Sequence, residues 1–388
     1  MRRSKHEGSS RPPKLSLSHR SELFDLFRTA STRMLVRTGI AVAVVWIPLF
    51  ALCAARGSGA LLSFWKDYAS HSRFLVALPI LILAERPLHV RLRTVAAHFE
   101  TFAVPENQMP EFRSIWQSHE KVRHSRLAQF VIVLLTYATA AWLFQYLNPR
   151  GSEFISWWTG GGGFKSFSPA GTWAFFISYP ILLFFTYLWL WRQVLWARFL
   201  RSTAQLNLCT VAAHPDHLGG LGFLEASMLG QLPFSFCMGV GLAGAVANRV
   251  LNEGYRLLAF RYLTLFLIAG VLLVCVAPYL FFTRTLMSMR RHGMFTYGAF
   301  ACAVGEQFEK KWLHQSASLA EDVLTVPDFS TTGDLFAVVS NIDDIRVIPV
   351  GAVNIYAVVI VSLIPAIPVV IASIPFDTLM QAAVKLLF

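Results

Sequence analysis

Residues 204–248, AQLNLCTVAAHPDHLGGLGFLEASMLGQLPFSFCMGVGLAGAVAN, set a polar, glycine-rich turn against a strongly apolar run. The turn, His214-Pro215-Asp216-His217-Leu218-Gly219-Gly220-Leu221-Gly222, is the densest cluster of polar and flexible residues in the chain. The run after it, Met228–Ala247, carries no charged residue and reaches the length of about 20 residues that a bilayer crossing needs. Within it Gly239, Ala243 and Ala247 fall four apart, a spacing that lets a second helix backbone approach closely. This pairing of hinge and packed helix predicts an all-α, polytopic transmembrane helix bundle.

Composition agrees. Of 388 residues, 55% are hydrophobic and 14% charged, with a mean hydropathy of +0.51. A soluble chain is about a quarter charged, so this one is solvated by lipid. The net charge of +12 is spread between apolar runs rather than gathered on one face. That pattern points to loops held against an anionic leaflet and away from nucleic acid. The five cysteines show no close pairing, which argues against a disulfide framework or a zinc knuckle. The first apolar run starts near Gly39 after a long polar arm, so no cleavable leader is expected.

Working outward, seven spans are expected: Gly39–Ala55, Phe74–Ala84, Ala128–Leu147, Thr172–Trp191, Met228–Ala247, Tyr262–Phe282 and Asn354–Ser373. The second is short and interrupted at Pro79. Residues 1–37 read as a basic cytoplasmic arm, polar at first and amphipathic from Ser21. Residues 38–283 hold the spans with cytoplasmic loops at 85–127 and 192–227. The first of these loops reads as helices hugging the membrane, broken at Pro105 and Pro110. Residues 284–352 form a cytoplasmic segment, a helix followed by a loop-rich stretch. Residues 353–388 supply the last span and an amphipathic tail. Trp157 and Trp158, beside Gly160–Gly163, read as an interfacial anchor in an exterior loop. With the amino terminus inside, 25 of the 34 lysines and arginines fall on the cytoplasmic side, as the positive-inside rule requires.

Three constellations bear on chemistry. The first is the turn itself. His214, Asp216 and His217 are ligand types for a divalent metal such as Zn²⁺. HPDH also reproduces part of the zinc signature of the metallo-β-lactamase fold, but Ala212 stands where the first histidine belongs and the neighbours are membrane helices, so the match reads as coincidence. The alternative is architectural: Asp216 caps a helix or makes an Asx turn, a role Asn would fill as well, and Gly219, Gly220 and Gly222 supply positive φ. The second is Glu85-Arg86 at the end of the short span, read either as a functional intramembrane pair or as an end-of-helix ion pair between neighbours. The third is negative: no lone acid or base lies mid-span, while prolines that bend helices are frequent.

The runs AHPDHLGGLGFL (213–224), AERPLHVRLR (84–93) with the following HFE, and IASIPFDTLMQAAVKLLF (371–388) resemble a family of uncharacterised bacterial inner-membrane proteins. The resemblance implies class and location, with the HPDxxGGLGFL run its most specific part, and carries no activity.

The expected function is a channel or transporter for an ion or small solute, its path lined by the small-residue helix with the hinge at the cytoplasmic mouth. The alternatives are a membrane-embedded metal-dependent enzyme acting on a lipid or envelope intermediate, or a membrane scaffold. The expected partners are the bilayer, its anionic cytoplasmic lipids and, as a candidate, a second copy of the chain.

Overall fold

A computed structural model describes residues 17–123, 125–147, 157–159, 167–312 and 328–373. The start of the basic arm, Gly160–Gly163 and the amphipathic tail lie outside the described residues. Nearly all regular structure among the described residues is helical, with one isolated bridge between Thr159 and Phe167.

Six helical runs are long and apolar enough to cross a membrane. They are α1 (Thr32–Arg56), α2 (Arg126–Leu143), α3 (Pro169–Thr203), α4 (Leu224–Asn252), α5 (Leu257–Trp312) and α6 (Ala352–Ser373). Their outer faces expose large apolar side chains such as Ile40, Phe130, Phe266 and Val353, a surface suited to lipid rather than water. The expected surface helix near Ser21 is not a separate element. One helix, Leu17–Arg56, runs straight into the span because no breaker interrupts it before Pro48.

The expected second span is not among the six. It belongs to three consecutive helical pieces, Tyr68–His71, Ser72–Ala77 and Leu78–Leu83, which together reach only roughly 24 Å at 1.5 Å per residue. Shortness is offset by enclosure: Phe74, Leu78 and Leu81 are buried among α1, α3 and α4.

Four prolines sit where turns change pitch. Pro79 and Pro180 each open an α-helical piece directly after a π-turn, Ser72–Ala77 and Ala174–Ser178. Pro278 and Pro365 open tighter 3₁₀ stretches. Proline lacks the N–H that would continue an α ladder, and a change of turn reassigns the freed carbonyl.

At the centre stands α4, with 56% of its apolar window buried against 17–28% for the others. Its glycines explain the enclosure. A Cβ at Gly239 would collide with the backbone carbonyl of Ser362 on α6. One at Gly244 would strike Ser72 on the short helix, with the Ala69 Cα at 2.9 Å. Ala243 and Ala247 are buried beside Val246 and Val369 in a second small apolar cluster. Leu242 packs partly against that cluster.

After α5 leaves the apolar bundle, its helix Thr283–Trp312 pairs with Asp328–Asp343. Part of the expected loop-rich stretch is therefore helix. Thr332, Leu335, Val338 and Ile342 turn inward at helical spacing beneath a Ser, Thr and Gly composition that resembles a loop.

Candidate functional site

The turn between α3 and α4 is built around one carboxylate. Asp216 Oδ1 accepts from the backbone N–H of Leu218 (2.8 Å) and Gly220 (3.1 Å), and Oδ2 accepts from Gly222 (2.8 Å). His214 Nδ1 lies 2.8 Å from Oδ1. Burial alone would push this carboxyl up; the three backbone N–H groups and His214 together outweigh it and hold its pKa below the ordinary value. Gly219 and Gly220 take φ of 66° and 91°, which rolls the three N–H groups inward. Gly222 is glycine for room, since a Cβ would stand 3.0 Å from Asp216 Oδ2.

The same turn is riveted to the segment that leads into α6. The Arg346 N–H donates to the His217 carbonyl (3.0 Å), and its Nη2 to the Asp216 carbonyl (3.3 Å). Glu225 Oε1 accepts from Arg346 Nη1 and from the Gly351 N–H, both at 2.9 Å. Sequence reasoning missed Glu225 and Arg346. The signal was there: Glu225 is the only acid between Asp216 and Glu253, and Arg346 the only arginine or lysine between Lys311 and Lys385.

The metal reading of His214, Asp216 and His217 gains no support from this geometry. His217 adopts the left-handed conformation (φ 54°) and sets Nδ1 3.4 Å from the Asn341 carbonyl oxygen, while both Asp216 oxygens already accept backbone N–H bonds. Among the described residues no group of three or more His, Cys, Asp or Glu is placed to hold a metal ion. The architectural reading fits an Asx turn, with Oδ1 accepting the Leu218 N–H two residues on, and the carboxylate goes further by engaging Oδ2 as well, which Asn cannot reproduce.

Glu85 does not pair with Arg86 as the end-of-helix reading expected. Neighbours on a helix do not face each other. Glu85 instead accepts a hydrogen bond from Arg192 of α3, 107 residues away, whose side chain is 17% exposed. This pair lies in a cavity of about 450 Å³ walled by four helices. Each wall presents one helical face: Met34, Arg37 and Ala41; Glu85, His89 and Leu92; Trp116, His119 and Arg123; Phe185, Arg192 and Leu195. Arg86 lines it too. Burial, then Arg123 and Arg93, push the His89 pKa down to about 4, and burial lowers that of His119. Both imidazoles are therefore neutral at pH 7, and the charged groups among the described lining residues are four arginines and Glu85.

At the opposite end of the short helix is a residue the sequence reading passed over. Asp67 is 3% exposed and accepts from Ser70 Oγ (2.6 Å), Asn248 Nδ2 (2.8 Å), Trp157 Nε1 (3.2 Å) and the Ser70 N–H (3.2 Å). It ties α4 to the short helix and to Trp157. That tryptophan is wholly buried rather than an interfacial anchor, because its N–H serves this carboxylate.

No protein-family model, no curated protein and no solved structure matches this chain.

Proposed function

We propose that the chain is a multi-pass protein of the bacterial inner membrane that passes a small anionic solute, with the cavity around Glu85 and Arg192 as its cytoplasmic mouth. The carrying observation is the lining of that cavity: Arg37, Arg86, Arg123 and Arg192 against Glu85, at the common end of α1, α3 and the short helix. Ionisable groups enclosed between membrane helices, as Arg192 is, are costly and mark ligand paths. Counting Tyr68–Leu83 as a crossing gives seven, with the amino terminus and the helix Thr283–Trp312 in the cytoplasm. On the HPDxxGGLGFL run we further propose kinship with the inner-membrane family it resembles. The metal-enzyme reading has no group of three ligand residues among the described residues to support it.

Flux of chloride and of inorganic phosphate from liposomes containing the purified protein tests this reading. Efflux of at least one anion above protein-free liposomes is expected, falling about tenfold or more in Arg192→Leu and in Arg86→Gln. Efflux of neither anion, or efflux indifferent to both variants, contradicts it.

A further inference from the structure

Beyond the flux reading, and apart from the Glu85 cavity, we infer that the cleft between the end of α3 and the middle of α5 binds the headgroup of an anionic phospholipid. The cleft holds about 530 Å³ and shares no described lining residue with that cavity. Arg201 stands in the last turn of α3, and Ala204 and Gln205 follow just past its end. Leu280 and Phe281 belong to the 3₁₀ stretch Ala277–Phe282, which packs against α3. Arg284 and Thr285 open the helix that continues from it, about one turn further along.

The polar side chains of this cleft are unspent. Gln205, Arg284 and Thr285 have no side-chain hydrogen-bond or ion-pair partner among the described residues. Arg201 meets only the ring of Phe281, with its Cζ 6.0 Å from the centroid. Other arginines of the protein are differently placed: Arg192 is tied to Glu85, Arg123 to Glu120 and Arg290 to Asp343. Two guanidinium groups from two helices therefore share one cleft, and no carboxylate stands among its described lining residues. A guanidinium offers paired N–H donors that match phosphate oxygens, and the Gln205 amide and Thr285 hydroxyl can donate beside them. An ammonium headgroup meets no acid here, so a zwitterionic lipid gains less than an anionic one.

Placement selects a lipid over a free phosphate. Leu280 and Phe281 are exposed and lie at the end of the apolar run Tyr262–Phe282. Arg284 lies roughly 4.5 Å further along the helix axis than Phe281. The headgroup layer on each side of a bilayer's hydrocarbon core is about 5–8 Å deep. A phosphate held at Arg284 thus sits in that layer and leaves its acyl chains against Leu280 and Phe281.

The test is native mass spectrometry of the full chain, delipidated in detergent and titrated with three probes: phosphatidylglycerol, phosphatidylcholine of the same acyl chains, and inorganic phosphate. Phosphatidylglycerol is expected to bind at least fivefold more tightly than phosphatidylcholine. Arg201→Gln and Arg284→Gln are each expected to weaken it about fivefold, and the double variant to remove the preference. Arg198 is an exposed arginine one turn earlier on α3 that lines a different cleft. Arg198→Gln removes the same charge from the same end of α3 and is expected to change nothing. Equal binding of the two lipids by the wild-type chain overturns the inference without recourse to any variant. A loss in Arg198→Gln equal to that in Arg201→Gln marks general attraction to positive charge and overturns it too. Inorganic phosphate binding as tightly as phosphatidylglycerol assigns the cleft to a free anion and overturns the lipid.

Discussion

Alanine in place of Gly239 is expected to abolish recovery of a monodisperse protein, whereas alanine at Gly241, on the same helix, is expected to leave yield unchanged. The two positions differ only in what a methyl group meets. At Gly239 it meets the backbone carbonyl of Ser362, with Pro365 Cγ at 3.3 Å. A backbone oxygen between two packed helices cannot turn aside as a side chain can, so α4 and α6 must separate. Overpacking of this kind costs about 1–3 kcal/mol even where side chains absorb it, and more where only backbone can move. At Gly241 nothing lies within 4 Å, and replacing a helical glycine by alanine gains roughly 1 kcal/mol. Gly244→Ala should behave like Gly239→Ala, through Ser72 and Ala69 instead. Size-exclusion profiles of detergent extracts with matched thermal melts read all three. Equal profiles for the Gly239 and Gly241 variants would refute close packing on α4.

Asp216→Asn is expected to damage the protein nearly as much as Asp216→Ala. An ordinary helix cap would predict near silence, since Asn caps as well as Asp. Here one oxygen takes the N–H groups of Leu218 and Gly220 while the other takes that of Gly222. Asn turns one of those oxygens into a donor and sets N–H against N–H. Losing the charge-assisted bond and leaving a donor unpaired costs about 2–3 kcal/mol. The loss falls on the joint between α4 and α6, because the same loop receives Arg346. Thermal melts should show both variants several degrees below wild type. Acid should act in the same direction. The folded carboxyl titrates below its ordinary value of 3.8, so its stabilisation is complete above that value and is lost as pH falls through the lower, folded one. A melt for Asp216→Asn superimposable on wild type would return the residue to a simple cap.

The apolar runs were legible because crossing a bilayer demands a length and composition that nothing else in a chain imitates. The small-residue helix was legible for a related reason: glycine and alanine four apart have few uses inside an apolar run other than close packing. What escaped the sequence are partnerships across distance. Trp157 reads as an interfacial anchor until Asp67, 90 residues earlier, is found accepting its N–H. Glu85 reads as the partner of its neighbour until Arg192 arrives from α3. The short helix starts earlier than its apolar residues suggest, since Asp67 with Ser70 is a capping pair that the hydrophobic pattern does not display. In the turn, the glycines and the aspartate could be read as a loop that bends. That both carboxylate oxygens accept backbone N–H groups is a matter of geometry alone.

Everything proposed for the cavity depends on which end of the bundle faces the cytoplasm, and the native cysteines can report it. Cys209, in the turn between α3 and α4, and Cys302, on the helix Thr283–Trp312, are exposed, whereas Cys53, Cys237 and Cys275 are buried. A membrane-impermeant maleimide applied to intact spheroplasts and to inverted membrane vesicles, followed by peptide mapping, separates the two orientations. The expected result is labelling of Cys209 and Cys302 in inverted vesicles and of neither in spheroplasts. Labelling of either cysteine in intact spheroplasts would put the arginine-lined cavity on the outside and contradict the account.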